Sequence, residues 1–482
     1  MEKSPSLGKA LIPIIFLVVL LAYNVIVVYG DNALSGSNQL ILLLAAGVAA
    51  VVGITEGISW KVMRDGITKS IASTVPSLIL LLFIGALAGT WLVSGIIPAM
   101  IYYGLDLLNP SIFLVASCII CAIVSLATGS SWSTIATVGI ALLGIGKALG
   151  ISEAVIGGAV ISGAYFGDKI SPMSDTTNLA PAMAGTDLFT HIRYMLYTTI
   201  PSITITLLIF LFIGLRHSSN VAIEDAASIQ AELDSIFNIN GWLFLVPIAV
   251  IIMIVRKVPA IPALVAGVLL AGLFAVVFQA NLIHDLANGL SGVEAFYTVL
   301  IDAMTVDTNI PAQDPMLADL LSAGGMSGML NTVWLILCAM TFGGVMESAG
   351  FLSTLSAALI KRAKSTTALV STTVGTCLTL NVTASDQYLA IVVPGRMYAD
   401  VFKKRGLAPQ VLSRTLEDSG TVTSVLVPWN TCGATQAAIL GVATLSYAPF
   451  TFFCIISPLM TIAFAAFNIK IARLPKEEIE MA

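Results

Sequence analysis

Long apolar runs separated by short polar stretches make up most of this chain. The runs cover residues 11–29, 40–53, 75–97, 112–127, 194–215, 241–255, 259–280, 331–349 and 448–468. Most approach the roughly 20 residues that a helix needs to cross a bilayer. The alternation with a period of two residues that marks an outer-membrane β-barrel is missing. The pattern therefore predicts an all-α polytopic membrane protein, with the lipid bilayer as its surroundings.

Composition supports this class and excludes others. Of the 482 residues, 57% are hydrophobic and 10% are charged, and the mean hydropathy is +0.97. The net charge of −5 comes with no basic patch, so we expect no nucleic-acid partner. The six cysteines lie in apolar runs and the three histidines are scattered, which predicts neither a disulfide framework nor a bound metal cofactor.

Lysine and arginine positions predict the orientation in the membrane. Positive charge is retained on the cytoplasmic side, which places both termini and residues 61–69, 191–193, 256–257, 361–364 and 403–405 inside. The stretches left outside are 31–38, 98–110, 217–240 and 282–330. We therefore expect a multi-pass protein of the bacterial cytoplasmic (inner) membrane with cytoplasmic N- and C-termini.

Four polar interruptions break the apolar pattern. They are GDKISPMSDTTNLAP at 167–181, TGSSWST at 128–134, NVTASDQ at 381–387 and EDSGTVT with PWNTCGA at 417–434. At membrane depth, irregular backbone is tolerated only where it is buried in protein or lines a watery cavity. The alternative is a polar loop outside the bilayer. Two interruptions in each half of the chain favour broken helices around one site.

A weak internal repeat relates the two halves. A shift of about 255 residues sets Ser130 opposite Asp386 and Pro172 opposite Pro428. The charge pattern sends the run at 75–97 outward and its counterpart at 331–349 inward, so the repeats are predicted to be inverted, with a site at their interface. This divides the chain into N-terminal transmembrane helices (1–70), a first inverted repeat (71–216), a linker with two transmembrane helices and an acidic external loop (217–330), and a second inverted repeat (331–482).

The interruptions at 167–181 and, less closely, at 417–434 resemble those of NhaC-type Na+/H+ antiporters of the ion transporter superfamily. The resemblance extends over nearly the whole chain. It implies two inverted-topology repeats, each with a re-entrant hairpin and a discontinuous helix, and exchange of Na+ for H+. The family also includes members that resemble malate/lactate and amino-acid exchangers. The resemblance therefore indicates the fold more firmly than it indicates the transported substrate.

Four carboxylates in these interruptions are candidate cation- or proton-binding groups. They are Asp168, Asp175, Asp386 and Asp418. An ionised carboxylate in the membrane interior costs about 3 kcal/mol or more, so each indicates a function. Asp386, with no basic residue nearby in sequence, is the first candidate for the titrating group, and a structural role is the alternative. The alternative for Asp168 is a purely structural role, in which it pairs with Lys169 or a distant arginine. Asp418 is a weaker candidate for ion binding, because it could lie at the membrane edge.

Asp175 is the first candidate for contact with Na+, together with Asp386. It lies in an oxygen-rich run that suits a hard cation, although an Asp also caps helices. Further candidate ligands are Ser174, Thr176, Asn178, Thr383, Asn430 and Thr431. Ser130, Ser131, Trp132 and Trp429 are expected to line the cavity, with aromatic packing as the alternative for the tryptophans.

These residues predict a secondary antiporter in which Na+ and H+ compete for one carboxylate-centred site. No nucleotide-binding loop is found, and no cofactor is expected. An exchanger of organic anions or amino acids is the alternative, with Arg396 as its candidate anchor. An intramembrane protease is a third class, but the GD fragment at 167–168 has no convincing partner motif, so we expect no enzyme. A homodimer is left open.

Overall fold

A computed structural model of the protein describes residues 5–29, 36–107, 109–217, 223–360 and 363–475. These residues are almost entirely helical, apart from a short antiparallel ribbon of β1 (Thr308–Asn309) and β2 (Ser322–Ala323). The chain is an all-α polytopic membrane protein. Eight of the described helices are long and apolar enough to cross a membrane, and there are ten such spans if each of two bent helix pairs counts as one.

The N-terminal half builds its helices in the order expected from the apolar runs. They are α1 (Leu7–Tyr23), α2 (Ser37–Thr55), α3 (Trp60–Val93), α4 (Ile96–Leu107), α5 (Pro110–Thr128), α6 (Ser131–Thr134), α7 (Ile140–Ala148), α8 (Glu153–Ile170), α9 (Asp175–Ala184) and α10 (Leu188–His217). The π-helix Ile135–Gly139 joins α6 to α7. The spans are longer than the apolar runs alone suggested, because polar ends continue several of the helices.

The middle of the chain is more ordered than an acidic linker and loop. It contains α11 (Ile223–Ile236), α12 (Leu245–Val255), α13 (Ala260–Phe278), α14 (Ala280–Leu286), α15 (Gly292–Thr305), α16 (Pro315–Leu320) and α17 (Gly325–Gly328). Instead of an open loop at 282–330, α15 packs against α3 where Gly89 lets the main chain of Ala303 approach. The apolar pattern of the sequence did not predict this contact between α15 and α3.

The C-terminal half contains α18 (Leu330–Ser348), α19 (Phe351–Ile360), α20 (Thr366–Thr383), α21 (Gln387–Lys404), α22 (Pro409–Leu416), α23 (Thr431–Leu440), α24 (Thr444–Tyr447) and α25 (Phe452–Ala466). The π-helix Glu417–Thr421 continues α22. Because π-helices are rare and are often found at functional sites, this one marks a segment of interest.

Helix starts in the two halves recur with one spacing. Helices α5, α6, α8, α9 and α10 each begin 256 residues before α20, α21, α22, α23 and α24, respectively. Helices α9 and α23 also have the same length of 10 residues. The weak sequence match at this shift is therefore accompanied by a repeated order of helices and breaks.

Close packing of α5 on α8 sets the first two breaks side by side. Gly163 and Gly167 face the main chain of Cys118 and Ala122, where an added Cβ would fall on a carbonyl oxygen. The hydroxyl of Ser125 donates to the Ala164 carbonyl at 2.6 Å. The end of α5 and the end of α8 are consequently held next to each other.

Candidate cation-binding site

A cavity of about 760 Å³ lies among the four polar interruptions, and we call it the central cavity. Its lining includes residues from each interruption, together with α3 and the turn between α12 and α13. The candidate residues in this lining are Ser130, Ser131, Trp132, Asp168, Ser174, Asp175, Thr176, Asp386 and Thr431. Segments far apart in sequence therefore meet around one space, as the resemblance implied.

Each interruption ends in a capped helix that starts beside the cavity. Ser130 caps α6 and Ser174 caps α9, each accepting from a main-chain N–H. Asp386 caps α21 through Leu389 N at 2.9 Å, and Asn430 caps α23 through Cys432 N at 3.0 Å. Both pairs of caps, Ser130 with Asp386 and Ser174 with Asn430, are 256 residues apart. Helix N-termini carry partial positive charge, so they stabilise carboxylates placed there.

Asp168 joins the end of α8 to the start of α6. Its side chain is 8% exposed, and its Oδ2 accepts from the hydroxyl of Ser131 at 2.7 Å and from the main-chain N–H of the same residue at 3.1 Å. The alternative pairing of Asp168 with Lys169 is wrong, because the Lys169 side chain points elsewhere. Two donors from one residue hold this carboxylate at the cavity wall.

Asp175 is the first residue of α9, and its side chain is exposed towards the cavity. On either side of it, the hydroxyls of Ser174 and Thr176 are 3.2 Å apart. Both flanking residues are buried while Asp175 is open. Of the three carboxylates in the lining, Asp175 is therefore the most exposed.

Asp386 is both a cap and a cavity residue. It is 6% exposed, so most of its surface is removed from solvent while its side chain still lines the cavity. The preceding Ser385 has φ +58°, a left-handed conformation that costs a non-glycine residue about 1 kcal/mol. Gly129, 256 residues earlier, has φ +69° in front of the cap Ser130. Strained backbone of this kind is concentrated at functional sites.

Four candidate residues lie outside the lining and have local partners. The amide of Asn178 donates to the carbonyls of Pro172 and Ser174, and Thr383 donates to the Thr379 carbonyl. The amide of Asn430 donates to Asn381, and the indole of Trp429 donates to the Val382 carbonyl at 2.8 Å. These bonds tie the four side chains to main-chain or side-chain atoms of the helices and breaks.

Asp418 is deeply buried within the protein. Its carboxylate is 0% exposed and forms an ion pair with Lys169, which also donates to Ser457 at 2.7 Å. Thr198 donates to the other carboxylate oxygen at 2.8 Å. With both oxygens occupied, Asp418 connects α8, α10 and α25, and it does not line the cavity.

Two charged residues near the site were not predicted. Glu417 is 0% exposed and accepts from the hydroxyl of Thr176 at 3.2 Å, so it lies directly behind the lining. Lys257, in the turn after α12, is the only basic residue among the described residues that line the cavity. Arg396 is exposed and is not among them. The shift of 256 residues could have revealed Glu417. It sets this acidic residue opposite Ile161, an apolar residue in the middle of α8, where a charged side chain is unexpected.

The three cavity carboxylates do not meet at a single point. Within the described ranges, no three Asp, Glu, His or Cys side chains are grouped as a metal site. A cation bound here would therefore combine one carboxylate with hydroxyl and main-chain oxygens, a ligand set that suits a hard ion.

Comparisons with known proteins place the chain in a family. The model of the Na+/H+ antiporter family matches residues 163–469. The chain is 35% identical to the Na+/H+ antiporter NhaC of Alkalihalophilus pseudofirmus, over 98% of each chain. It is also 35% identical to the malate-2H+/Na+-lactate antiporter of Bacillus subtilis, over 93% of this chain and 92% of that protein. It is 33% identical to the arginine/ornithine antiporter ArcD of Halobacterium salinarum, over 96% of this chain and 92% of that one.

Proposed function

Because the chain belongs to the Na+/H+ antiporter family, we propose that it exchanges Na+ for H+ across the bacterial cytoplasmic membrane at the central cavity. One observation carries the proposal. Asp168, Asp175 and Asp386 line the same cavity, and Lys257 is the only basic residue in that lining within the part of the chain that the structure describes. A space with this balance of charge attracts a cation or binds protons.

Competition for the same carboxylates couples the two ions. An ionised carboxylate away from bulk water needs a counter-charge, and either Na+ or a proton supplies it. When one occupies the site, the other is displaced. Asp386, the less exposed of the two candidate Na+ ligands, is assigned the titrating role, and Asp175 is assigned the first contact with Na+. Transport follows if the cavity opens alternately to the two sides.

The repeated helix starts support an architecture of two inverted repeats, 71–216 and 331–482, around the cavity. In the orientation given by lysine and arginine positions, the turn that carries Lys257 is cytoplasmic. The cavity borders this turn, which in that orientation supports an inward-facing arrangement. Inverted repeats allow the same site to face outward when the two halves exchange conformations.

A second candidate function is exchange of an organic anion or amino acid coupled to Na+ or H+. The cavity volume of about 760 Å³ favours it, because a single Na+ ion needs far less room. Helix N-termini at the cavity suit a carboxylate group of a solute. Two relatives are named for malate, lactate, arginine or ornithine, which shows that related chains move such solutes.

The two functions are distinguished with purified protein in liposomes that contain a pH-sensitive dye, under an imposed proton gradient. Na+, Li+, K+, malate, lactate and amino acids are added separately. Collapse of the gradient by Na+ alone is the expected result. If Na+ alone has no effect and an organic solute restores proton flux, the second function replaces the first.

A further inference from the structure

Glu417 is a buried carboxyl group that the proposed exchange does not use. It is the first residue of the π-helix Glu417–Thr421 and is 0% exposed. Its Oε1 accepts from Thr176 at 3.2 Å, whereas its Oε2 has no hydrogen-bond partner. No lysine, arginine or histidine within the described ranges forms an ion pair with it. A carboxyl group in this state is rare in a protein interior.

The basic groups near Glu417 have other direct partners than its carboxyl group. Lys169 on α8 is paired with Asp418, the residue next to Glu417. Arg414, one turn earlier, stacks on the rings of Tyr194 and Phe464 at 4.6 and 5.8 Å. Among acidic residues on other helices, Asp168 on α8 acts electrostatically on Glu417.

The remaining elements packed on this π-helix bring no counter-charge to it. Helices α20 and α25 contribute the thiols of Cys377 and Cys454 as their only titratable groups. Helix α21 packs Ala390 and Ile391 against Gly420. Burial of an ionised carboxylate in such surroundings costs far more than burial of the neutral acid.

The first half of the chain has no equivalent group. The residue 256 positions earlier is Ile161, in the unbroken helix α8. At this position of the repeat, a π-helix with a buried carboxyl group is therefore found in the second half and not in the first. A local helix defect of this kind costs stability, and such defects are often found where a side chain has a function.

We propose that Glu417 is a second proton-binding group, separate from the cation-binding carboxylates and connected to the cavity through Thr176. Ser174 and Thr176 both line the cavity, and their hydroxyls are 3.2 Å apart. The three oxygens of Ser174, Thr176 and Glu417 thus form a continuous path from the cavity wall to the buried carboxyl group.

Proton transfer along this path is balanced at each oxygen. Thr176 Oγ1 takes a proton from the cavity side while its own hydroxyl proton passes to Glu417 Oε1. One O–H bond forms and one breaks at the threonine, and the carboxylate becomes the neutral acid. Release to the cavity is the reverse. The proposal rests on the proposed exchange, since it adds a proton to each cycle of that reaction.

The consequence is a stoichiometry of two protons for each Na+. One proton replaces Na+ at the cavity carboxylates, and the other is carried by Glu417. Each cycle then moves one net charge, so the exchange responds to the membrane potential.

The ratio is measured in liposomes as the Na+ gradient that stops net flux at a set pH gradient and a potassium–valinomycin potential. Wild type is expected to give two protons per Na+ and a response to the potential. Glu417→Gln is expected to give one proton and no response, and Glu417→Asp, which retains a carboxyl group, to give two. Glu294→Gln serves as the control, because Glu294 is exposed in the first turn of α15 and lies outside the cavity lining.

A ratio of one in the wild type, or of two in Glu417→Gln, overturns the proposal. Failure of the proposed exchange is separate, because it appears as absent Na+ dependence in the wild type. The proton ratio is then measured against the organic solute that restores flux, with the same expectations for the variants. A Glu417→Gln protein that does not fold leaves the wild-type ratio as the deciding measurement.

Discussion

The carboxylate of Asp168 accepts two hydrogen bonds from Ser131, at 2.7 Å from its hydroxyl and at 3.1 Å from its main-chain nitrogen. The residues are 37 positions apart and belong to different broken helices. This contact connects the end of α8 to the start of α6 at the wall of the central cavity. The start of α6 therefore fixes the position of Asp168, which is a candidate cation ligand.

Removing the Ser131 hydroxyl is predicted to weaken Na+ binding. A hydrogen bond to a charged group contributes about 1.5–3 kcal/mol, so Ser131→Ala should raise the KM for Na+ about tenfold or more. The saturated rate should change little, because the main-chain N–H still holds the carboxylate. Ser131→Thr retains the hydroxyl and should restore the KM. An unchanged KM in Ser131→Ala would show that this contact does not position a ligand.

Variants of Asp175 and Asn178, two residues on α9, distinguish a role in cation binding from a structural role. Asp175→Asn is predicted to abolish Na+-dependent exchange while leaving the protein in the membrane, because the charge that attracts the cation is lost. Asn178, one turn along, has its amide bound to the main chain outside the cavity lining. Asn178→Ala should therefore transport Na+ with little change in KM and lose about 1 kcal/mol of stability. Exchange assays in liposomes test both, and an active Asp175→Asn variant would remove Asp175 from the site.

The buried pair of Lys169 and Asp418 is predicted to be structural. Removal of one partner leaves an unpaired charge in the interior, so Lys169→Met or Asp418→Asn should lower the free energy of unfolding by about 3–5 kcal/mol. The double variant should recover a large part of this loss, since no charge is left unpaired. Thermal unfolding in detergent measures the coupling. Additive losses in the double variant would mean that the two side chains do not act as a pair.

Lys257 is predicted to control access of cations from the cytoplasm. It is exposed at the cavity and repels Na+ over a distance that salt screens. Lys257→Gln should lower the cytoplasmic KM for Na+ about two- to fivefold at low ionic strength, and the difference should shrink at about 0.5 M choline chloride. Arg256→Gln is the matched control, because Arg256 is exposed but is not part of the lining. Equal effects of both variants, or an effect from the outside only, would contradict the inward-facing assignment.

Local chemistry made the four breaks predictable. Ser130, Ser174, Asp386 and Asn430 are all residue types that cap helices, and each is followed by a helix in the structure. The membrane class followed from the length of the apolar runs. Both features depend on a few neighbouring residues, which is why the sequence alone revealed them.

Contacts between distant residues were not predictable in the same way. Lys169 reaches Asp418 across 249 positions, and neither residue indicates the other in the sequence. The sequence does not single out Glu417, because its neighbour Asp418 could lie at the membrane edge. The sequence also did not reveal that the amide nitrogen of Asn178 donates to the carbonyls of Pro172 and Ser174.

The measurement that tests the central claim most directly is proton release when Na+ binds to purified protein in weakly buffered detergent solution. Competition for the cavity carboxylates predicts that wild type releases protons as Na+ is added, and that K+ at the same ionic strength has no such effect. Asp386→Asn, which keeps a capping side chain on α21, is predicted to release fewer protons or none. Release from Asp386→Asn that equals that of wild type, or Na+ binding to wild type without any proton release, would contradict exchange by competition at this site.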